Sequence, residues 1–120
     1  PRLGVGLNNL ATAYLGEKKP REAEAAARRA VALTQQARGS DHPDVGAALY
    51  TLGEALSALG RYAEAEPMLD RAVALLSRAL GPSHPHVGAS LSAHAVVLRR
   101  LHRDSEASRL DRRAKAILQQ

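Results

Sequence analysis

The 120-residue sequence predicts an all-α fold, a superhelix of three stacked helix–turn–helix units with six helices in all. Two observations predict it. Shifted by 42 residues, the chain lands on its own pattern twice without a gap: Pro1, Pro43 and Pro85 coincide, as do Gly4, Gly46 and Gly88, Leu7, Leu49 and Leu91, Ala23, Ala65 and Ala107, and Ala30, Ala72 and Ala114. Within each period, two apolar runs at helical spacing are parted by a turn residue.

The second unit is the clearest. Val45, Ala48, Leu49, Leu52, Ala55, Leu56 and Leu59 mark its first helix, and Gly60, which tolerates positive φ, ends the run. Ala65, Met68, Leu69, Ala72, Val73, Leu75 and Leu76 mark its second, which stops at Leu80-Gly81-Pro82. Pro85 restarts the cycle in a first turn, where its missing N–H costs nothing. The spacing predicts helices over 3–16, 20–37, 43–59, 63–80, 85–101 and 104–119. Pro67 falls near the first turn of its helix and should remove at most one hydrogen bond. Gly4, Gly46 and Gly88 each cost a helix about 1 kcal/mol relative to Ala. Their recurrence implies close contact with the preceding helix, or descent from one duplicated unit.

Composition narrows the function. Phe and Trp are absent and there are three Tyr, so the core must be Ala, Leu and Val in close-packed helices. Cysteine is absent, which excludes disulfides and thiolate metal sites and suits a cytoplasmic location. No apolar run approaches the roughly 18 residues of a membrane span. The units 1–42, 43–84 and 85–120 carry net charges of +3, −2 and +4, so basic weight sits at the two ends. A single-strand nucleic-acid binder needs a continuous basic stripe with stacking aromatics, and neither is evident. The first residue is Pro at a repeat boundary rather than Met, so the 120 residues are expected to be one domain of a longer protein.

The spacing Leu49-x2-Leu52-Gly53-x2-Leu56, followed by Ala65-x3-Leu69-x2-Ala72, resembles the tetratricopeptide repeat. The first unit follows through Leu7, Leu10, Ala11, Tyr14, Ala23, Ala27 and Ala30, and the third through Leu91, Ala95, Leu98, Ala107 and Ala114. The period exceeds the usual length of about 34. The long linker Leu80-Gly81-Pro82-Ser83-His84-Pro85-His86-Val87, with Leu7-Asn8-Asn9-Leu10-Ala11 and Ala63-Glu64-Ala65-Glu66-Pro67, is similar to the kinesin light chain subclass.

That resemblance implies a non-enzymatic scaffold binding a protein or peptide on a concave face lined by the first helix of each unit. Carried onto this chain, the face comprises Asn8, Asn9 and Thr12, then Tyr50, Thr51 and Glu54, then Ser92, Ala93, Val96, Arg99 and Arg100. Side-chain amides there could pair with an extended peptide backbone, but Asn9 is followed by Thr51 and Ala93, so the amide ladder is incomplete. The Lys/Arg/Asn clamp that grips a terminal carboxylate in chaperone-tail binders would fall on Asn8, Thr12, Thr51, Ala89 and Ala93, which do not supply it. The subclass often serves as a sensor or assembly module of larger signalling proteins. Self-association of the parent protein is the alternative, and RNA binding through the basic ends a third.

Arg99, Arg100 and Arg103, with His102, are either a contact for an acidic ligand or helix-end charges complementing the dipole. His84 and His86 are too few ligands for a metal, and no metal or cofactor is expected. His94 replaces a repeat-position Leu and is expected to be half-buried and hydrogen-bonded. Glu22, Glu64 and Glu106 recur near the starts of second helices, where they suit the dipole and form no catalytic pair. No nucleophile elbow or phosphate loop is present. Asp111 stands where Ala27 and Leu69 stand; with Arg109, Arg112, Arg113 and Lys115 it should make the last helix a solvating cap, while Leu3, Val5, Leu7 and Leu10 leave the first helix apolar.

Overall fold

Proline and histidine together open the second and third units. The computed structural model describes residues 2–119 as six helices: α1 Leu3–Gly16, α2 Pro20–Arg38, α3 Pro43–Ala58, α4 Tyr62–Leu80, α5 Pro85–Arg100 and α6 Asp104–Leu118. The reading of Pro1 as a repeat start lies outside the described residues. Pro43 and Pro85 occupy first turns, and the residue before each caps the helix. His42 Nδ1 accepts a hydrogen bond from the Asp44 N–H at 3.0 Å, and His84 Nδ1 accepts one from the His86 N–H at 3.1 Å. The linker histidines therefore satisfy orphan helix donors. Pro67 sits inside α4, which continues past it to Leu80.

The turn within each unit and the link between successive units need a left-handed backbone. Gly39 and Gly81 close α2 and α4 at φ 89° and 94°. Gly60 turns between α3 and α4 at φ 76°, and the register equivalents Lys18 and His102 adopt the same left-handed conformation at φ 60° and 63°. The turn geometry is thus common to all three units, although only one supplies glycine for it.

Consecutive helices pack as antiparallel neighbours, and α3 also touches α1 and α5. Among the described residues, α2, α4 and α6 do not meet. First helices therefore form an inner layer and second helices an outer, splayed one, which curves the stack. The seams are apolar. Val45 and Leu49 are buried with Ala72 and Leu75, with Val31 of the preceding unit packed against them; Val87 and Leu91 pack with Leu76, Ala114 and Ile117. Ala23, Ala65 and Ala107, where the helices of each unit cross, are all fully buried.

Gly4, Gly46 and Gly88 do approach another helix closely, but it is the following helix of the same unit, not the preceding one. A Cβ on Gly46 would lie 3.1 Å from Leu76, one on Gly88 would lie 2.9 Å from Leu118, and one on Gly4 would collide with Thr34. The reason is the antiparallel hairpin: the start of each first helix lies beside the end of the second.

Charged seams repeat in register as well. Arg61, at the α3–α4 turn, pairs with Glu24 of α2 at 2.6 Å and with Glu64 at 2.7 Å. One unit later, Arg103 lies 3.7 Å from Glu66 of α4 and 2.7 Å from Glu106. Glu64 and Glu106 are held below the usual carboxylate range chiefly by hydrogen bonds from these arginines. Ser108 replaces the seam glutamate in the last unit, and α6 exposes Arg109, Arg112, Arg113 and Lys115. Asp111 is only half-buried, and it pairs with Arg99 of α5 within its own unit.

The crossing in the second unit is filled by complementary sizes. A Cβ on Gly53 would lie 2.5 Å from Leu69. In the same register the first unit has Ala11 and the smaller Ala27, and the third has Ala95 and Asp111. In a double-mutant cycle of G53A and L69A, the double variant should be more stable than the sum of the singles by about 0.5–3 kcal/mol. Urea denaturation measures this, and strictly additive energies would refute the size exchange.

Candidate functional site

The inner layer encloses a cavity of about 220 Å³ whose walls come from all three units. Asn8 and Thr12 enter from α1, Ala47, Tyr50, Thr51 and Glu54 from α3, Leu76 from α4, and His86, Ala89 and Ser90 from α5. A second hollow of about 160 Å³ adjoins it through Glu54 and is lined by Ser57, Leu69, Ala93 and Val96. The cavities exist because Ala47, Ala89 and Ala93 are too short to fill the space between first helices.

Polar groups in the groove are unevenly satisfied. Thr12 Oγ1 donates to the Asn8 carbonyl at 3.0 Å, Thr51 Oγ1 to the Ala47 carbonyl at 3.1 Å, and Ser90 Oγ to the His86 carbonyl at 3.0 Å. These hydroxyls are spent on their own helices. Asn8 Oδ1 is different. Among the described residues it is the buried side-chain polar atom without a hydrogen-bond partner. Such an unpaired acceptor costs about 1–3 kcal/mol, which a donor on a ligand would recover.

Tyr50 and Glu54, one turn apart on α3, form the groove's ionisable pair. Burial, then the Glu54 charge and its hydrogen bond, push the Tyr50 hydroxyl from 10.0 to about 12. Burial also raises the Glu54 carboxyl, partly offset by the bond from Tyr50. No Lys or Arg lines either cavity.

The predicted residues divide accordingly. Asn8, Thr12, Tyr50, Thr51 and Glu54 meet around the first cavity, and Glu54 and Val96 around the second. Thr51 is 4% exposed and turned to its own backbone, so no ladder runs from the exposed Asn9 through Thr51 to Ala93. Ser92 is half-buried and, like Asn9, lines neither cavity. Arg99 pairs with Asp111, and Arg100 lies 5.8 Å above the Tyr62 ring. Both also stand in the last turn of α5, where their charges suit the helix dipole. Ala47, Leu76, His86 and Ser90 are lining residues that sequence reading missed, and Ala89 lines the cavity without being part of a clamp. The small residue at the register position shared by Ala47 and Ala89 was the available signal.

A family model described as tetratricopeptide repeat matches residues 3–76 and again 47–120, so the overlapping matches span nearly the whole chain. The chain belongs to the tetratricopeptide repeat family. Members are typically non-catalytic scaffolds for protein–protein interaction. No curated protein is significantly similar to the chain. Among solved structures it is similar to a Podosopora anserina kinesin-light-chain-type protein of nearly identical TPR-like repeats, with a TM-score of 0.81 and 28% identity over 93% of this chain and 53% of that one. A glutamine-to-methionine variant of that protein gives 0.83 and 26% over 98% and 56%. This tetratricopeptide chain thus spans about half the length of those relatives. The TPR domain of Arabidopsis FLU shares the fold at a TM-score of 0.84 and 20% identity, over 98% and 96%. No described helix is long and apolar enough to cross a membrane.

The Tyr50 ionisation is testable. Its folded-state value is raised, so the neutral hydroxyl contributes fully below the ordinary value of 10.0 and the contribution is lost as pH climbs towards about 12. Ultraviolet titration of the three tyrosines should show one late component, and E54Q should move it back towards 10.0 while burial keeps it above. A late component unmoved by E54Q would contradict the pairing.

Proposed function

We propose that this chain is a non-enzymatic scaffold that holds a peptide or protein segment in its concave groove, as a sensor or assembly module of a longer signalling protein. The observation that carries the reading is Asn8 Oδ1, a buried acceptor without a partner beside an apolar-walled cavity. A bound backbone N–H would satisfy it, and one apolar side chain would fill the space between Tyr50 and Ala89. Over the cavity the ligand is neutral or basic, because the carboxylate of Glu54 is the charge it meets. Acidic residues of the same ligand would suit Arg99 and Arg100 farther along α5. The cytoplasm is the proposed location, supported by the absence of cysteine.

Peptides selected from a random displayed library on the unmodified chain supply the probe. A89L, which plugs the cavity, and Y50A should weaken them by about tenfold or more with the helical content retained. Selected peptides indifferent to both changes would refute groove binding.

A second reading, self-association, rests on the α1 face. Leu3 is 59% exposed and Leu10 43%, whereas Val45 and Val87, the register equivalents of Leu3, are fully buried and Leu52, that of Leu10, is 2% exposed. An RNA surface is less well supported, since Asp111 and Glu106 engage Arg99 and Arg103. If the α1 face pairs copies, sedimentation should show dimers or larger species that L3D returns to monomer. A strict monomer at high concentration excludes it.

A further inference from the structure

The two seams of the stack are built on one register yet differ by a paired exchange. At the first seam, Glu24 of α2 is bound by Arg28 at 2.9 Å and by Arg61 at 2.6 Å. Leu52 of α3 packs at the same seam, and Arg28 and Leu52 line one surface hollow there. At the second seam, Glu66 keeps the place of Glu24, and Arg103 that of Arg61. Asp70, however, replaces Arg28 and His94 replaces Leu52. An arginine and a leucine on opposite sides of one seam have become an aspartate and a histidine at the other.

The exchange changes the chemistry. Glu66 and Asp70 are one helical turn apart on α4, so both carboxylates share a face. His94 is 6% exposed, more deeply set than the half-buried position expected from sequence, and its Nε2 lies 2.8 Å from Glu66 Oε2. One ligand atom from each of Glu66, Asp70 and His94 can be chosen so that all three lie within 4.8 Å of one another. Asp70 thus puts a carboxylate where the first seam has the cation Arg28, and the stack's own cation there, Arg103, lies 3.7 Å from Glu66.

We propose that Glu66, Asp70 and His94 bind a divalent cation of the zinc class, clasping the second unit to the third. Imidazole with carboxylates is a donor set suited to zinc. Metal–ligand bonds of about 2.0–2.2 Å place neighbouring ligand atoms about 3.3 Å apart. That spacing lies between the present 2.8 Å His94–Glu66 contact and the 4.8 Å outer limit of the cluster. Binding therefore needs a small separation of His94 from Glu66 and an inward swing of the exposed Asp70. Arg103 sits on Glu66 Oε1, leaving Oε2 to the metal and orienting the carboxylate from outside. Three protein ligands leave a fourth position to water. The site owes nothing to the loop histidines, because His42 and His84 are occupied as helix caps.

The test uses the full chain, stripped with chelator and titrated with Zn²⁺ alone by calorimetry, with melting curves in parallel. One Zn²⁺ should bind per chain and raise the melting temperature by several degrees, as any ligand of the folded state does. H94L restores the residue of the first seam, and D70R restores its arginine. Each should lose zinc affinity by more than about tenfold while its metal-free melting temperature stays at or above that of the unmodified chain. H84A/H86A should bind as the unmodified chain does. The proposal is overturned by no saturable uptake, by H94L binding within about twofold of the unmodified chain, or by loss confined to H84A/H86A.

Discussion

The stack depends on one constraint: the apolar stripe of each first helix must be covered by the second helix of the unit before it. Val45 and Leu49, and Val87 and Leu91, are buried because a neighbour is present. At roughly 25 cal/mol per Å² of apolar surface, each seam contributes far more than any exposed ion pair. No helical pair could bury both its faces alone, so the units are stable only together. Alanine at the crossings lets the two helices of each unit approach closely, while across the stack only first helices touch one another and the outer ones splay. Curvature, and with it the groove, follows from that difference in width.

The groove is a place where the packing is deliberately incomplete. Its walls are apolar and its hydroxyls are consumed by their own helices, yet Asn8 keeps an acceptor without a partner and Glu54 is held in an environment that disfavours its charge. Folding tolerates these costs because the seams on either side over-determine the positions of α1, α3 and α5. Ligand recognition in such scaffolds draws on groups of this kind, stranded by the fold and open to a partner that completes them.

Comparison between units isolates what the architecture demands from what it permits. The left-handed turn is demanded: Lys18 and His102 adopt it without glycine. The crossing volume is permitted to vary, since Gly53 meets Leu69 in the second unit whereas Ala11 and Ala27 hold the same register in the first. The chemistry of a seam is permitted to vary, so that Arg28 and Leu52 at one place become Asp70 and His94 at the next. Both exchanges involve residues on facing helices.

Most of the fold was legible in the sequence. Apolar spacing, Pro at helix starts and Gly at their ends determine all six helices to within one residue at each end, because these are local backbone preferences. The resemblance located five of the cavity's lining residues, since groove positions follow from repeat register. Other features depend on side-chain direction across a contact and could be decided only by the tertiary structure. Gly46 meets Leu76 rather than the preceding helix, Arg99 turns to Asp111, and Thr51 folds back on its own carbonyl. The stranded amide of Asn8 and the meeting of His94 with Glu66 belong to the same class. Sequence determined which helices form and in what order they stack, for those are questions of periodicity; which polar atoms end with partners was settled by packing, because hydrogen bonds act over a few ångströms between residues far apart in the chain.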